Sequence, residues 1–233
     1  MSLGYLLHAA YATLRISIPT IRDGLWGTLT PELCDRRLLG WSSALVERAR
    51  IDVRVHGELP DGSESFVVMS NHQSLYDIPV LYRAFPLRLR MVAKAELFRV
   101  PLWAQAMRRA GFVELDRSDR DRAIRSLDRA RDALSSGTNV WIAPEGTRSP
   151  DGRLGEFKRG GFYLAVGAGS RILPVSIRGT RQVLAARAYR VKPGAQVDVT
   201  FHAAVDPKDF GLDVTPELLA AVRDSIERGL SET

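Results

Sequence analysis

From residue 51 onward, short apolar runs alternate with longer stretches whose apolar residues recur every three or four positions. Ile51, Val53 and Val55 alternate with Asp52, Arg54 and His56, the pattern of a half-buried strand. Phe66-Val67-Val68-Met69, Arg90-Met91-Val92-Ala93, residues 112–115, Val140-Trp141-Ile142-Ala143 and residues 172–177 read as further strands. Val197 to Phe201 alternates as an edge strand would. Between these runs, helical spacing is predicted over 77–85, 101–110, 119–135, 157–168 and 215–229, the third stopped by Gly137. Strand and helix taking turns in this way predict an α/β fold, with a largely parallel central sheet flanked by helices. In such sheets, active sites lie beyond the carboxyl ends of strands.

Residues 1–50 are different and are set apart as an N-terminal amphipathic helical segment, with the α/β domain at 51–233. Leu3, Leu6, Leu7, Ala10 and Leu14 fall at helical spacing, and Ile18-Pro19 is expected to interrupt the helix. Thr30-Pro31 reads as an N-cap followed by proline at the first helical position. The second helix would place Leu38, Trp41, Leu45 and Ala49 on one face. Two roles fit this pair of helices, packing on the core or lying on an anionic membrane, and one does not exclude the other. The early apolar stretch is broken by His8 and ends at Arg15, too short for a span of ~20 apolar residues. No charged region precedes it, as a cleavable signal would require.

Composition narrows the classes further. The single cysteine, Cys34, excludes an internal disulfide and a zinc site built on several cysteines. Net charge is +6, and of the 33 basic residues only four are lysine, leaving 29 arginines. Arginine presents a planar fork of donors suited to phosphate. A nucleic acid, an anionic membrane or a phosphorylated substrate would each satisfy that charge. Acidic residues are interleaved along the chain and no nucleic-acid motif is present, so nucleic acid is not expected as a partner.

Four polar clusters follow the expected strands. Asn71-His72-Gln73-Ser74-Leu75-Tyr76-Asp77 puts a histidine at a strand-to-helix turn. A neutral imidazole is the best side-chain base for a hydroxyl proton near pH 7. Asp77 can orient it only if the chain turns between them, since five positions on a continuous helix amount to ~140° of rotation. Pro144-Glu145-Gly146-Thr147-Arg148-Ser149 follows the strand at 140–143. There Gly146 permits a tight backbone and Arg148 can grip a phosphate, while Glu145 could hold that arginine or accept from a substrate hydroxyl. Lys94 and Lys158 stand near other strand ends, and Asp116-Arg117 closes one. Pro174 requires an edge or unpaired position in its strand. Together the clusters describe proton abstraction from an alcohol on a phosphate-bearing substrate.

In this order, the clusters resemble the 1-acylglycerol-3-phosphate acyltransferase family. Asn71-His72 with Asp77 matches its His-x4-Asp motif, and Lys94-x-Glu96 through Gly111 and Asp116-Arg117 its second block. Pro144 to Ser149 matches the third block and the Pro174 strand the fourth. The resemblance covers about residues 50–180. It implies that His72, oriented by Asp77, deprotonates the free hydroxyl of a lysophospholipid for attack on the thioester of acyl-CoA or an acyl carrier protein. Arg148 with Lys94 would hold the acceptor phosphate, joined by Thr147 and Lys158, while Glu145 and Gly146 shape the acceptor site. No metal or cofactor is implied beyond the thioester co-substrate. The expected location is peripheral, on the cytoplasmic face of the cell membrane, with an anionic lipid surface as partner. Alternatives are another lysolipid or glycerol 3-phosphate as acceptor, or a thioesterase or lysolipid hydrolase using the same base. Two positions depart from the family pattern: Ala143 where phenylalanine is common, and Ala104 where glycine is frequent.

Overall fold

A computed structural model of the chain describes residues 2–94, 98–99, 101–115 and 120–231. Two helices, α1 (Ser2–Trp26) and α2 (Pro31–Arg48), precede the alternating region. There follow β1 (Asp52–His56), β2 (Val67–Ser70), α3 (Asp77–Ala84), β3 (Leu89–Lys94), α4 (Pro101–Arg109), β4 (Val113–Leu115) and α5 (Arg120–Ser135). The chain continues with β5 (Asn139–Ile142), α6 (Gly160–Ala168), β6 (Ile172–Arg178), α7 (Thr180–Val183) and β7 (Gln196–Phe201). A 3₁₀ turn (Pro207–Phe210) and α8 (Pro216–Ser231) complete it.

The strands form one sheet in the order β1-β7-β6-β2-β5-β3-β4. Every neighbouring pair is parallel except β6 with β7. β2 and β5 are buried along their whole length, as interior parallel strands with helices on both faces must be. Alternate side chains serve opposite faces. Val68, Trp141, Leu173, Val175 and Ile177 join α1, α2 and α3 in one core, while Val67, Met69, Val140, Ile142 and Ile172 meet α5, α6 and α8 in another. A fully buried side chain such as Phe162 in α6 contributes about 1.5–3 kcal/mol through burial.

Three sequence expectations change. α1 runs through Pro19 rather than stopping there. Proline removes a helical hydrogen bond and costs ~3 kcal/mol. The helix is held on both sides of that position: Trp41 Nε1 donates to Thr13 Oγ1 at 3.1 Å, and Arg37 reaches Thr20 Oγ1 at 3.2 Å and Asp23 Oδ2 at 2.5 Å. α2 starts as expected, with the Thr30 hydroxyl accepting from Leu33 N–H at 3.2 Å. Second, β7 is an interior strand. The alternation of Val197, Val199 and Phe201 records one covered face, not an edge, because β1 pairs along its other side. β1 is the edge, and its Val55 is 42% exposed. Third, α6 begins at Gly160, three residues later than expected, because Phe157 to Arg159 complete the preceding loop.

Pro174 sits inside the sheet, paired with Met69 of β2 and accepting from His202 N–H at 3.0 Å, and only its nitrogen stays out of the ladder. Ile172 N–H points to Val205 and Ile177 N–H to Asn71, so alternation turns the Pro174 nitrogen toward the β7 side. It falls in the gap between the Ile172–Val205 bridge and the first β7 pair, Val175–Phe201.

Candidate active site

The site forms where β2 leaves the sheet. Asn71, one residue past β2, continues the ladder with its side chain: Nδ2 donates to Ile177 O at 2.9 Å, and Oδ1 accepts from Ile177 N–H at 2.8 Å. Gln73 Nε2 donates to the same carbonyl at 2.6 Å. The chain is thus pinned to the end of β6 while it reverses direction, and α3 opens at Asp77.

The reversal brings together the two residues that a continuous helix would separate. His72 Nδ1 lies 2.7 Å from Asp77 Oδ2. The same oxygen accepts the N–H groups of Gln73 at 2.7 Å and Ser74 at 2.8 Å. Oδ1 accepts from the Thr180 hydroxyl at 2.5 Å. Asp77 is fully buried, so this set of donors stands in for water around its carboxylate. A carboxylate only accepts, which places the imidazole proton on Nδ1 and the lone pair on Nε2. Nε2 has no hydrogen bond to a described residue, and the His72 side chain is 18% exposed. The Trp141 ring meets the imidazole edge-on, with centroids 6.2 Å apart, and its Nε1 donates to Ser70 Oγ at 2.9 Å.

The Pro144–Ser149 block grips the same histidine by its backbone. His72 N–H donates to Glu145 Oε1 at 2.8 Å, and Ser149 N–H donates to the His72 carbonyl at 2.7 Å. The other Glu145 oxygen accepts from Gly155 N–H at 2.8 Å. Glu145 therefore does not hold Arg148; its carboxylate is buried and spent on two backbone donors. Burial pushes its pKa up, with the Gly155 and His72 N–H groups pulling the other way. Gly146 turns the chain with φ 71°, its N–H bonded to Ala143 O at 3.0 Å.

Thr147, Arg148 and Lys158 line an open cavity of about 390 Å³ beside Glu145. The Arg148 guanidinium has no hydrogen bond or ion pair with a described residue. Lys158 Nζ is 3.4 Å from Glu156 Oε2 at the surface, a contact of small energetic weight. Lys94 is the last residue of β3, the strand next to β5. Glu96 and Asp116-Arg117 lie outside the described residues.

Two contributors escape sequence reasoning. Thr180 follows β6 by two residues, past Gly179 at φ 100°, where an added Cβ would stand 2.2 Å from Gln196 O. The rule that sites follow strand ends pointed to this place without choosing the residue. Arg223, in α8, donates to Gly155 O at 2.6 Å and Leu154 O at 3.0 Å, holding the loop whose N–H reaches Glu145. Nothing in the spacing of residues 215–229 signals that reach.

The sequence pattern of the Acyltransferase family matches residues 51–178, more than half of the chain. A chloroplastic 1-acyl-sn-glycerol-3-phosphate acyltransferase of Arabidopsis thaliana is 32% identical over 156 residues, which is 67% of this chain but only 44% of the relative. The chain thus spans less than half the length of that plant protein. A 1-acyl-sn-glycerol-3-phosphate acyltransferase of Pseudomonas aeruginosa is 32% identical over 195 residues, covering 83% of this chain and 72% of the relative. The crystal structure of the 1-acyl-sn-glycerophosphate acyltransferase PlsC from Thermotoga maritima superposes with a TM-score of 0.77 at 30% identity, over 98% of this chain and 96% of that one. With the family pattern spanning both motifs around His72, the chain belongs to the acyltransferase family.

Proposed function

We propose that the protein transfers an acyl chain from a thioester donor, acyl-CoA or acyl carrier protein, to the free hydroxyl of 1-acylglycerol 3-phosphate, giving phosphatidate. The observation that carries this reading is His72 held by a buried Asp77 through Nδ1, with Nε2 open at the carboxyl end of β2. Nε2 removes the hydroxyl proton as the alcohol oxygen attacks the thioester carbonyl. The C–O bond forms, the C–S bond breaks, and the imidazolium returns its proton to the departing thiolate. Asp77 keeps the required tautomer and stabilises the imidazolium. Glu145 positions the histidine backbone from beneath. Arg148, with Lys94, Thr147 and Lys158, receives the acceptor phosphate, for which a guanidinium without a partner among the described residues is suited. No step runs through a metal or cofactor.

The acceptor is a membrane lipid, and α1 offers a surface for reaching it. Leu7, Tyr11, Leu14, Ile18 and Leu25 are 44% or more exposed and repeat at helical spacing along one face, while Ala12, Ser17 and Asp23 are buried on the other. Among the described residues no helix is long and apolar enough to cross a membrane. On this reading the protein is peripheral, with α1 face down on the cytoplasmic leaflet.

The test is thiol release from oleoyl-CoA, with and without lysophosphatidate, for the wild type and His72→Ala. Acceptor-dependent release that falls by about 10³-fold or more in the variant is expected. Release independent of acceptor would make the protein a thioesterase. Full activity of the variant would remove His72 from the mechanism.

A further inference from the structure

Residues 178–197 contain Arg178, Arg181, Arg187, Arg190 and Lys192, and no aspartate or glutamate. Buried Val183, Leu184 and Val191 anchor the segment, and Lys192 N–H donates to Val183 O at 2.9 Å. It is tied to the catalytic turn twice, by Ser74 Oγ donating to Leu184 O at 2.7 Å and by Thr180 donating to Asp77. Arg181, Arg187, Arg190 and Lys192 are exposed. The last three side chains have no ion pair with a described carboxylate, and Arg181 reaches only Pro150 O at 3.5 Å. Arg178 differs, being paired with Asp198 at 3.1 Å.

The segment also borders an open cavity. A cavity of about 650 Å³ has Arg181 and Lys192 on its walls, with Gln182, Ala185, Pro193 and Gly194 between them. Its Arg181 wall lies close to the catalytic turn: a Cβ built on Gly152 would be 3.0 Å from Arg181 Cδ and 3.7 Å from Gln73 Oε1, so those two atoms are at most the sum of these distances apart. The catalytic turn is therefore hydrogen-bonded toward two cationic cavities. His72 N–H bonds Glu145, which lines the Arg148 cavity, and Ser74 bonds Leu184, the chain neighbour of Ala185 in the wall of the other.

The reaction proposed above has two anionic substrates, and one cavity is already matched to the acceptor phosphate. We infer that the cavity between Arg181 and Lys192 binds the phosphates of a coenzyme A thioester, with Arg187 and Arg190 adding to the field around it. The inference rests on the acyl-transfer reading. In coenzyme A the pantetheine arm separates the phosphates from the sulfur, so their site must lie beside the base rather than at it. An open depression flanked by a guanidinium and an ammonium, with only uncharged residues between them, suits a compact polyphosphate better than the broad face of a carrier protein or a bilayer.

The experiment uses the full chain and Arg181→Gln/Lys192→Gln. Binding of free coenzyme A is measured by calorimetry, which needs no turnover. KM and kcat are measured with oleoyl-CoA and with an oleoyl carrier protein. Binding to equimolar phosphatidylcholine–phosphatidylglycerol vesicles is measured by sedimentation. The expected result is about a tenfold rise in the coenzyme A Kd and in KM for oleoyl-CoA. The effect falls on KM rather than kcat, and KM for lysophosphatidate and vesicle binding do not follow it. No coenzyme A binding by the wild type, or equal affinities in the two proteins, overturns the inference. So does a loss confined to the carrier-protein donor or to vesicle binding, which would make the segment a protein or membrane contact. If coenzyme A binds and the variant weakens it but the wild type transfers no acyl chain, the site stands and the proposed reaction fails.

Discussion

Thr180→Val isolates one hydrogen bond beneath the proposed base. Valine keeps the β-branch and nearly the volume of threonine, and removes the hydroxyl that donates to Asp77 Oδ1 at 2.5 Å. Both residues are fully buried, and Thr180 is the only donor that reaches this oxygen among the described residues. Water has no access to replace it. A hydrogen bond to a charged group contributes about 1.5–3 kcal/mol. For a chain of this length, ~2–4 °C of melting temperature accompanies each kcal/mol, so a fall of about 3–12 °C is expected. Activity should fall as well, because Asp77 Oδ2 still holds Nδ1 but the carboxylate loses the contact fixing its far side. We expect kcat to drop about tenfold, ~1.4 kcal/mol of activation free energy. Thr180→Ser restores the donor and should recover most of both losses. Urea unfolding and acceptor-dependent thiol release are the assays. A valine variant within about 0.5 kcal/mol of wild type and equally active, or a serine variant as impaired as valine, would refute the reasoning.

Three further outcomes follow from the geometry. Glu145 has a pKa raised above its ordinary 4.5 by burial, so the native state holds its proton more tightly than the unfolded chain. Stability then declines as pH rises from 4.5 through the raised value, whereas Glu145→Gln lacks this step. Glutamine also leaves the His72 or Gly155 N–H facing its amide nitrogen, destabilising by about 1–3 kcal/mol. The stability gap between wild type and variant should therefore narrow with rising pH in urea titrations; a widening gap would contradict the raised pKa. Arg223→Met keeps the aliphatic stem but loses both donors to the 154–155 loop. It should lower kcat several-fold (about threefold to tenfold) with KM little changed and with partial rescue by lysine. A change in KM alone would mean that Arg223 acts on binding instead. On α1, Leu14→Glu/Ile18→Glu places charge on side chains 57% and 63% exposed. Sedimentation with anionic vesicles should fall while the melting temperature holds, and unchanged sedimentation would move the membrane contact elsewhere.

What could be read before the structure depended on how local each determinant is. The elements were legible because apolar runs such as Val67–Met69 and helical spacing such as Ala130 and Leu134 are properties of neighbouring residues. Sheet order was not, since β1 and β7 show similar alternation while one is an edge and the other interior. The Pro19 break failed because tertiary hydrogen bonds from α2 outweigh a local rule. At the site, His72 and Asp77 were legible because they share one turn. The Glu145–Arg148 pairing offered by the sequence is absent, because the partners of Glu145, the backbone of His72 and Gly155, leave no trace in side-chain identity.

The contacts around His72 also show why a motif alone does not make the site. Asn71 and Gln73 fasten the turn to β6, but Asp77 is completed by Thr180 and Ser74 by Leu184, both past the end of the family match at residue 178. Glu145 depends on Gly155, which Arg223 holds from a helix forty-five residues beyond that same end. Each of these contacts replaces water around a buried polar group near the base, and an unmet partner there costs more than a satisfied one contributes. A segment ending at residue 178 would keep both motifs and leave the Asp77 carboxylate short of one donor and the Glu145 loop without its clamp. The acyltransferase motifs supply the reacting groups, and the chain that follows them supplies the order those groups need.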